Sequence, residues 1–204
     1  MNGLLAVVIA YLIGSVPFGF LLVKLTTGKD VRAGGSGNIG ATNVLRTQGR
    51  IAGVATLLLD IAKGYAAVWI AAQMTESLGS TAMVEWTAMA ALAVMAGHAF
   101  PIFLKFKGGK AVASFIGAFL YVAPLALLAV LIVFVVVVAA TRHISAGSVL
   151  AAGTFPLAVW LILHPPPFVV TAALVAGAFI VYRHKANLER LRAGTENVFR
   201  WRRS

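Results

Sequence analysis

Thirteen consecutive residues, Gly34-Gly35-Ser36-Gly37-Asn38-Ile39-Gly40-Ala41-Thr42-Asn43-Val44-Leu45-Arg46, place four glycines, several small hydrogen-bonding side chains and an arginine between two long apolar runs. Glycine lets backbone N–H groups approach a ligand closely, and successive N–H groups in such turns bind phosphate oxygens. Ser36, Asn38, Thr42 and Asn43, with Gln48 nearby, add neutral hydrogen-bonding groups, and the Arg46 guanidinium adds a charged, two-pronged donor. The chemistry this pattern suits is the handling of a phosphate-bearing molecule.

Two further segments carry similar chemistry. Gly97-His98-Ala99-Phe100-Pro101 leads to Phe106-Lys107-Gly108-Gly109-Lys110, where two glycines stand between two lysines just before an apolar run. A helix beginning there would offer N–H groups and the positive end of its dipole to an anion. This is not a nucleotide-binding P-loop, because Ala111 follows Lys110 where a Ser or Thr is required. The third segment runs from Tyr182-Arg183-His184-Lys185-Ala186-Asn187 to Gly194-Thr195-Glu196. Its spacing predicts a helix leaving the membrane with one polar face. Lipid anchoring needs only positive charge and accounts for Arg200, Trp201, Arg202 and Arg203, but not for His184 and Asn187. His98 suits either a core hydrogen-bonding role or a functional one.

The elements that must position these residues are membrane helices. The chain has 204 residues, 60% of them hydrophobic and 11% charged, so we expect one polytopic membrane domain over 1–204, with 196–204 a basic tail. The N-terminal run reads as a retained first span rather than a cleaved leader, since the first positive charge is Lys24. There is no cysteine, so thiol-based acyl intermediates are excluded, and the six scattered carboxylates argue against a metal cluster or a paired-carboxylate mechanism; no cofactor is expected. The net charge of +11 reads as topology rather than as nucleic-acid binding.

Apolar segments fall near 4–23, 51–72, 84–104, 111–122, 124–140, 147–163 and 168–182, with Tyr121 and Pro124 marking a break between the fourth and fifth. Seven spans put sixteen of the seventeen Lys and Arg residues on one side, Lys63 excepted. The positive-inside rule then predicts an all-α fold of seven transmembrane helices, N-terminus outside and C-terminus cytoplasmic. Ser15 and Pro17 read as packing and kink residues of the first span. Asp60 and Lys63, three apart inside the second, read first as a structural pair and second as part of a substrate path.

Gly35 to Asn43, Gly97-His98 through Lys110, and Arg183-His184 through Glu196 resemble the three cytoplasmic motifs of the bacterial acylphosphate-dependent glycerol-3-phosphate acyltransferases. Asp60 to Gly64 and the segment around Ser145 look similar too. The resemblance implies transfer of a long-chain acyl group from acyl phosphate to the 1-hydroxyl of glycerol 3-phosphate at the cytoplasmic face of the inner membrane. Lysophosphatidic acid and phosphate are the products. It implies Ser36, Asn38, Arg46 and His184 as catalytic residues. Substrate binding falls to Gly37, Thr42, Asn43, His98, Lys107, Gly108, Gly109, Lys110, Ser145 and Asn187. Membrane lipid and a soluble enzyme that makes acyl phosphate are the implied partners.

No sequence neighbour of Ser36 supplies a base, so we expect a substrate phosphate oxygen to take the hydroxyl proton, with His98 or His184 as the alternative base. Two other classes compete. A transporter of an organic phosphate predicts polar groups near the membrane midplane and matched halves, whereas these segments gather at one face. A scaffold for lipid-synthesis enzymes leaves the phosphate cradles without a purpose.

Overall fold

The computed structural model describes residues 1–199, so the basic tail segment Arg200, Trp201, Arg202 and Arg203 lies outside the described residues. The described residues form α-helices joined by short segments: α1 Asn2–Ser15, α2 Phe18–Thr27, α3 Ala41–Gln48, α4 Arg50–Thr75, α5 Ser80–Ala99, α6 Val112–Val122, α7 Pro124–Thr141, α8 Ile144–Leu163, α9 Pro167–Arg183 and α10 Lys185–Arg192. Local chemistry sets the breaks. Pro17, lacking an N–H, separates α1 from α2. Gly28 ends α2 in the left-handed region at φ 72°, with its N–H on the Lys24 carbonyl. The break between the fourth and fifth apolar segments falls at Ala123, and Pro124 opens α7.

The chain forms two compact units, Met1–Val122 and the residues from Ala123 onward. In the first unit α1 packs on α5 and α4 packs on α6. Glycines allow the approach. A Cβ on Gly14 would overlap the Val94 carbonyl, one on Gly97 the Tyr11 carbonyl, and one on Gly64 the Ser114 carbonyl. Small residues are the means by which helices pack in lipid, where apolar surface gains nothing by leaving solvent. A separate apolar cluster of Val23, Val31, Ile39, Val44 and Leu104 ties α2, the 28–40 segment, α3 and the turn after α5 together. In the second unit α8 packs on both α7 and α9, and α10 turns back onto α8 and α9.

Among the described residues, five helices or helix pairs are long and apolar enough to cross a membrane: Asn2–Thr27, Arg50–Leu78, Ser80–Leu104, Pro124–Thr141 and Ile144–Leu163. Counting α9 with α10, bent by 55°, gives six, and α6 is a shorter apolar helix of 11 residues. Their exposed surfaces carry Leu4, Leu5, Val8, Leu58, Leu125, Leu128, Ile132, Trp160 and Leu161, as lipid-facing helices require. This is a multi-pass membrane protein.

Candidate active site

In the first unit, Asn43 organises the glycine-rich loop from the first turn of α3. Only 2% exposed, its Oδ1 accepts the backbone N–H of Ser36 at 2.8 Å. Its Nδ2 donates to the carbonyls of Asn38 at 2.8 Å and of Val31 and Gly34 at 3.2 Å. The loop can wrap this amide because Gly35 and Gly37 adopt positive φ, 61° and 68°, and a Cβ on Gly35 would overlap Asn43 Oδ1. Asn38 accepts the Gly40 N–H at 2.8 Å, closing a turn that delivers the chain into α3. Ser36 and Thr42 are exposed, and Arg46 stands one helical turn beyond Thr42 on α3. Arg32 is taken up by Asp30 at 2.7 Å, and that guanidinium holds the Asp30 carboxyl below the usual carboxylate range.

The second segment folds back onto the end of α5. Gly109 donates to the His98 carbonyl at 3.1 Å and Gly108 to the Ala99 carbonyl at 3.2 Å. A Cβ on Gly108 would overlap the His98 carbonyl and Pro101, and one on Gly109 would overlap His98 Nε2. The same hypothetical Cβ on Gly109 would lie 3.4 Å from Asn38 Oδ1, so the two glycine-rich segments meet. Lys107 is exposed, Lys110 is half-buried, and α6 opens two residues beyond it.

These bonds change the role of the glycines. The N–H groups of Ser36, Gly37, Gly40, Gly108 and Gly109 all donate to protein acceptors. The glycines serve close approach of backbone to backbone. Side chains, namely the Ser36 and Thr42 hydroxyls and the Arg46, Lys107 and Lys110 cations, are the groups suited to meet an anion.

Behind the turn, Asp60 and Lys63 form an ion pair at 2.7 Å, with side chains 2% and 3% exposed. Lys63 also donates to the Val16 carbonyl at 2.8 Å, at the break between α1 and α2. His98 is buried, with Nδ1 3.1 Å from Ser114 Oγ and 3.6 Å from Asp60 Oδ1. The sequence motif Asp60-to-Gly64 thus reads as a structural pair followed by the glycine that admits α6.

In the second unit, Glu196 gathers the predicted residues. Its carboxylate accepts from Ser145 Oγ at 3.0 Å, Asn187 Nδ2 at 2.7 Å and Arg190 Nε at 2.7 Å. Burial pushes this carboxyl up, but the donors on Asn187, Arg190 and Ser145 outweigh it and hold the group below its ordinary value. His184, buried at the bend between α9 and α10, places Nδ1 2.8 Å from the Ile180 carbonyl. A carbonyl only accepts, so Nδ1 bears a hydrogen.

Ser36, Gly37, Asn38, Thr42, Asn43 and Arg46 share one segment, which meets the turn of Lys107, Gly108, Gly109 and Lys110 at Asn38 and Gly109, while His98 sits beside that turn as a buried group. Sequence reasoning missed Ser114 and the Asp30–Arg32 pair, and it noted Glu196 only as the edge of a motif. Among the described residues no cluster of three His, Cys, Asp or Glu could hold a metal.

Residues 4–194 match the family model described as glycerol-3-phosphate acyltransferase. The chain is 46% identical over 200 residues to the glycerol-3-phosphate acyltransferase of Geobacter sulfurreducens, covering 98% of this chain and 99% of that one. It is 42% identical over 199 residues to that of Thermosynechococcus vestitus, covering 95% and 93%. Its fold is similar to the crystal structure of PlsY (YgiH), an integral membrane glycerol 3-phosphate acyltransferase, in the glycerol 3-phosphate form. The TM-score is 0.89 and the identity 37%, over 98% of this chain and 96% of that one. The lysophosphatidic acid form of that protein gives a TM-score of 0.86 at 35% identity, over the same shares of the two chains. By sequence over nearly its whole length and by fold, this chain belongs to the glycerol-3-phosphate acyltransferase family.

Proposed function

We propose that this protein transfers a long-chain acyl group from acyl phosphate to the 1-hydroxyl of glycerol 3-phosphate, giving lysophosphatidic acid and inorganic phosphate. The observation that carries this reading is the meeting of the two cationic, glycine-rich segments at Gly109 and Asn38, in a chain of this family. Both substrates bear phosphate, and the residues offered are cations and hydroxyls on a loop held rigid by Asn43. The acceptor oxygen attacks the acyl carbon, the bond from that carbon to the phosphate oxygen breaks, and phosphate leaves. The mixed anhydride is already activated, so the protein's part is to hold two anions together and stabilise the developing oxyanion.

Ser36, Asn38, Thr42 and Arg46 handle the donor phosphate and the oxyanion, with Asn43 and Gly37 shaping the loop. Lys110 and Lys107 hold the phosphate of glycerol 3-phosphate on the turn made by Gly108 and Gly109. The resemblance adds His184 as a catalytic residue and Ser145 and Asn187 as substrate-binding residues. A phosphate oxygen of bound substrate takes the hydroxyl proton. What supports this over His98 as base is that Asp60, Ser114 and Gly109 surround that imidazole.

The chain crosses the bacterial inner membrane seven times, with its N-terminus outside and these segments at the cytoplasmic face, where a soluble enzyme supplies acyl phosphate. The concentration of Lys and Arg in alternate loops supports that orientation. Because the chain has no cysteine, single cysteines at Gly79 and Gly194 with a membrane-impermeant maleimide test it cleanly. Labelling of Gly79→Cys from outside and Gly194→Cys only after permeabilisation is expected.

Purified protein in lipid with glycerol 3-phosphate and palmitoyl phosphate tests the reaction. Equal yields of lysophosphatidic acid and free phosphate are expected. Product from acyl-CoA or acyl carrier protein alone would keep the transferase and overturn the donor. No product from any donor with folded protein would favour transport.

A further inference from the structure

We propose that the buried Asp60–Lys63 pair is a positioning device for the acceptor turn: it orients the His98 imidazole against Gly109 and so sets the affinity of Lys110 for glycerol 3-phosphate. The proposal rests on the reading that this turn holds the acceptor.

Two opposite charges lie inside an apolar helix, where removing either leaves the other buried and unpaired. Packing alone does not require them. Each charge instead faces a different element. The Lys63 ammonium, besides Asp60, meets the Val16 carbonyl at the C-terminal end of α1 and lies 5.7 Å from the Phe18 ring that begins α2. A cation at a helix C-terminus satisfies a carbonyl the helix itself leaves unpaired. Lys63 therefore fixes Asp60 in place from the α1–α2 break.

Asp60 in turn faces more than its lysine. Its Oδ1 lies 2.7 Å from Lys63 Nζ in the ion pair. The same oxygen lies 3.6 Å from His98 Nδ1. A negative charge there favours a ring that bears its hydrogen on Nδ1 and turns that edge toward α4. Ser114 on α6 completes the bracket at 3.1 Å, and α6 comes this close because residues 64 and 117 are glycine.

The opposite edge of the ring is then committed to the turn. Nε2 occupies the space a side chain at 109 would need, and the His98 carbonyl accepts the Gly109 N–H. Gly109 is gripped on its face by the imidazole and on its edge by the peptide. Rotation of the ring would leave the residue before Lys110 held by the peptide hydrogen bond without the imidazole. A displacement of an ångström in a binding group is enough to cost about a hundredfold.

The test is steady-state kinetics of the full chain in lipid nanodiscs, varying glycerol 3-phosphate and palmitoyl phosphate separately, for Ser114→Ala, Asp60→Asn with Lys63→Gln, and Lys110→Ala. The double variant leaves no unpaired charge. The proposal expects both positioning variants to raise KM for glycerol 3-phosphate about tenfold or more, with KM for palmitoyl phosphate within about twofold of the parent. A fall in thermal stability with both KM values unchanged overturns it, as does an equal rise in the two. If the double variant fails to fold, Ser114→Ala decides. Lys110→Ala separates the levels. If it raises the acceptor KM while the positioning variants do not, the inference alone falls. If it leaves that KM unchanged, the reading of the turn falls and takes the inference with it.

Discussion

Asn43 holds Ser36 through the backbone: Oδ1 of the buried amide accepts the Ser36 N–H at 2.8 Å, while the Ser36 side chain remains exposed. The serine proposed to meet substrate is thus positioned by a buried neighbour. Replacing Asn43 with Asp keeps the acceptor and removes the donors to Val31, Gly34 and Asn38. A carboxylate would then face three carbonyl oxygens. Acyl transfer by Asn43→Asp should fall at least about a hundredfold, and hydrogen exchange of residues 34–40 should quicken.

Arg46 and Arg32 lie on either side of the same loop with different fates. Arg32 is paired with Asp30, and Arg46 is the residue proposed to meet phosphate. Arg46→Ala should lower kcat/KM about a hundred- to a thousandfold, and Arg46→Lys should recover little, because an ammonium cannot make the two-pronged contact. Arg32→Ala should stay within about threefold of the parent, since a pair this exposed contributes little. Rates for the three variants under identical lipid conditions decide it.

Gly108 offers a sharper geometric test than either lysine. A methyl group there would overlap the His98 carbonyl and the Pro101 ring. Gly108→Ala should raise the acceptor KM about tenfold, while Lys107→Ala, at an exposed position, should have the smaller effect.

The Glu196 cluster makes a prediction about acid. Its carboxyl is held below the ordinary glutamate value in the folded chain, so the ionised form contributes stability above the unfolded value. That contribution fades as pH falls through the folded value. Glu196→Gln should cost about 2 kcal/mol at neutral pH, the scale of hydrogen bonds to a charged group. The gap in melting temperature between variant and parent should narrow as the pH drops below that of an ordinary glutamate. A gap independent of pH would show that the charge is irrelevant.

Much of this was legible along the chain, and the limits have physical causes. The break at Ala123 was readable because Pro124 cannot continue a helix, and Asp60–Lys63 because charges three apart in an apolar run have few other partners. The identity of Asn43 as a hub was not readable. Its partners are backbone carbonyls up to twelve residues away, and any polar side chain in a glycine-rich stretch looks equally able to meet a ligand. α3 hid for the same reason, eight residues being too few to show a period beside so many glycines. Ser114 sits in an apolar run, and its meeting with His98 depends on how closely α6 approaches α4, which Gly64 and Gly117 together permit. The glycines themselves misled. Their number suggested N–H groups for a ligand, yet the N–H groups of Gly37, Gly40, Gly108 and Gly109 are spent on the protein.

The fold-back of Gly108 and Gly109 also has an electrical meaning. Carbonyls at the last turn of α5 carry the partial negative charge of a helix end, which would repel an arriving phosphate. The two glycine N–H groups cover the carbonyls of His98 and Ala99, and within three residues the chain enters α6 by its positive end. The turn therefore works as a polarity inverter: it muffles one helix terminus, presents the opposite one, and sets Lys110 at the junction.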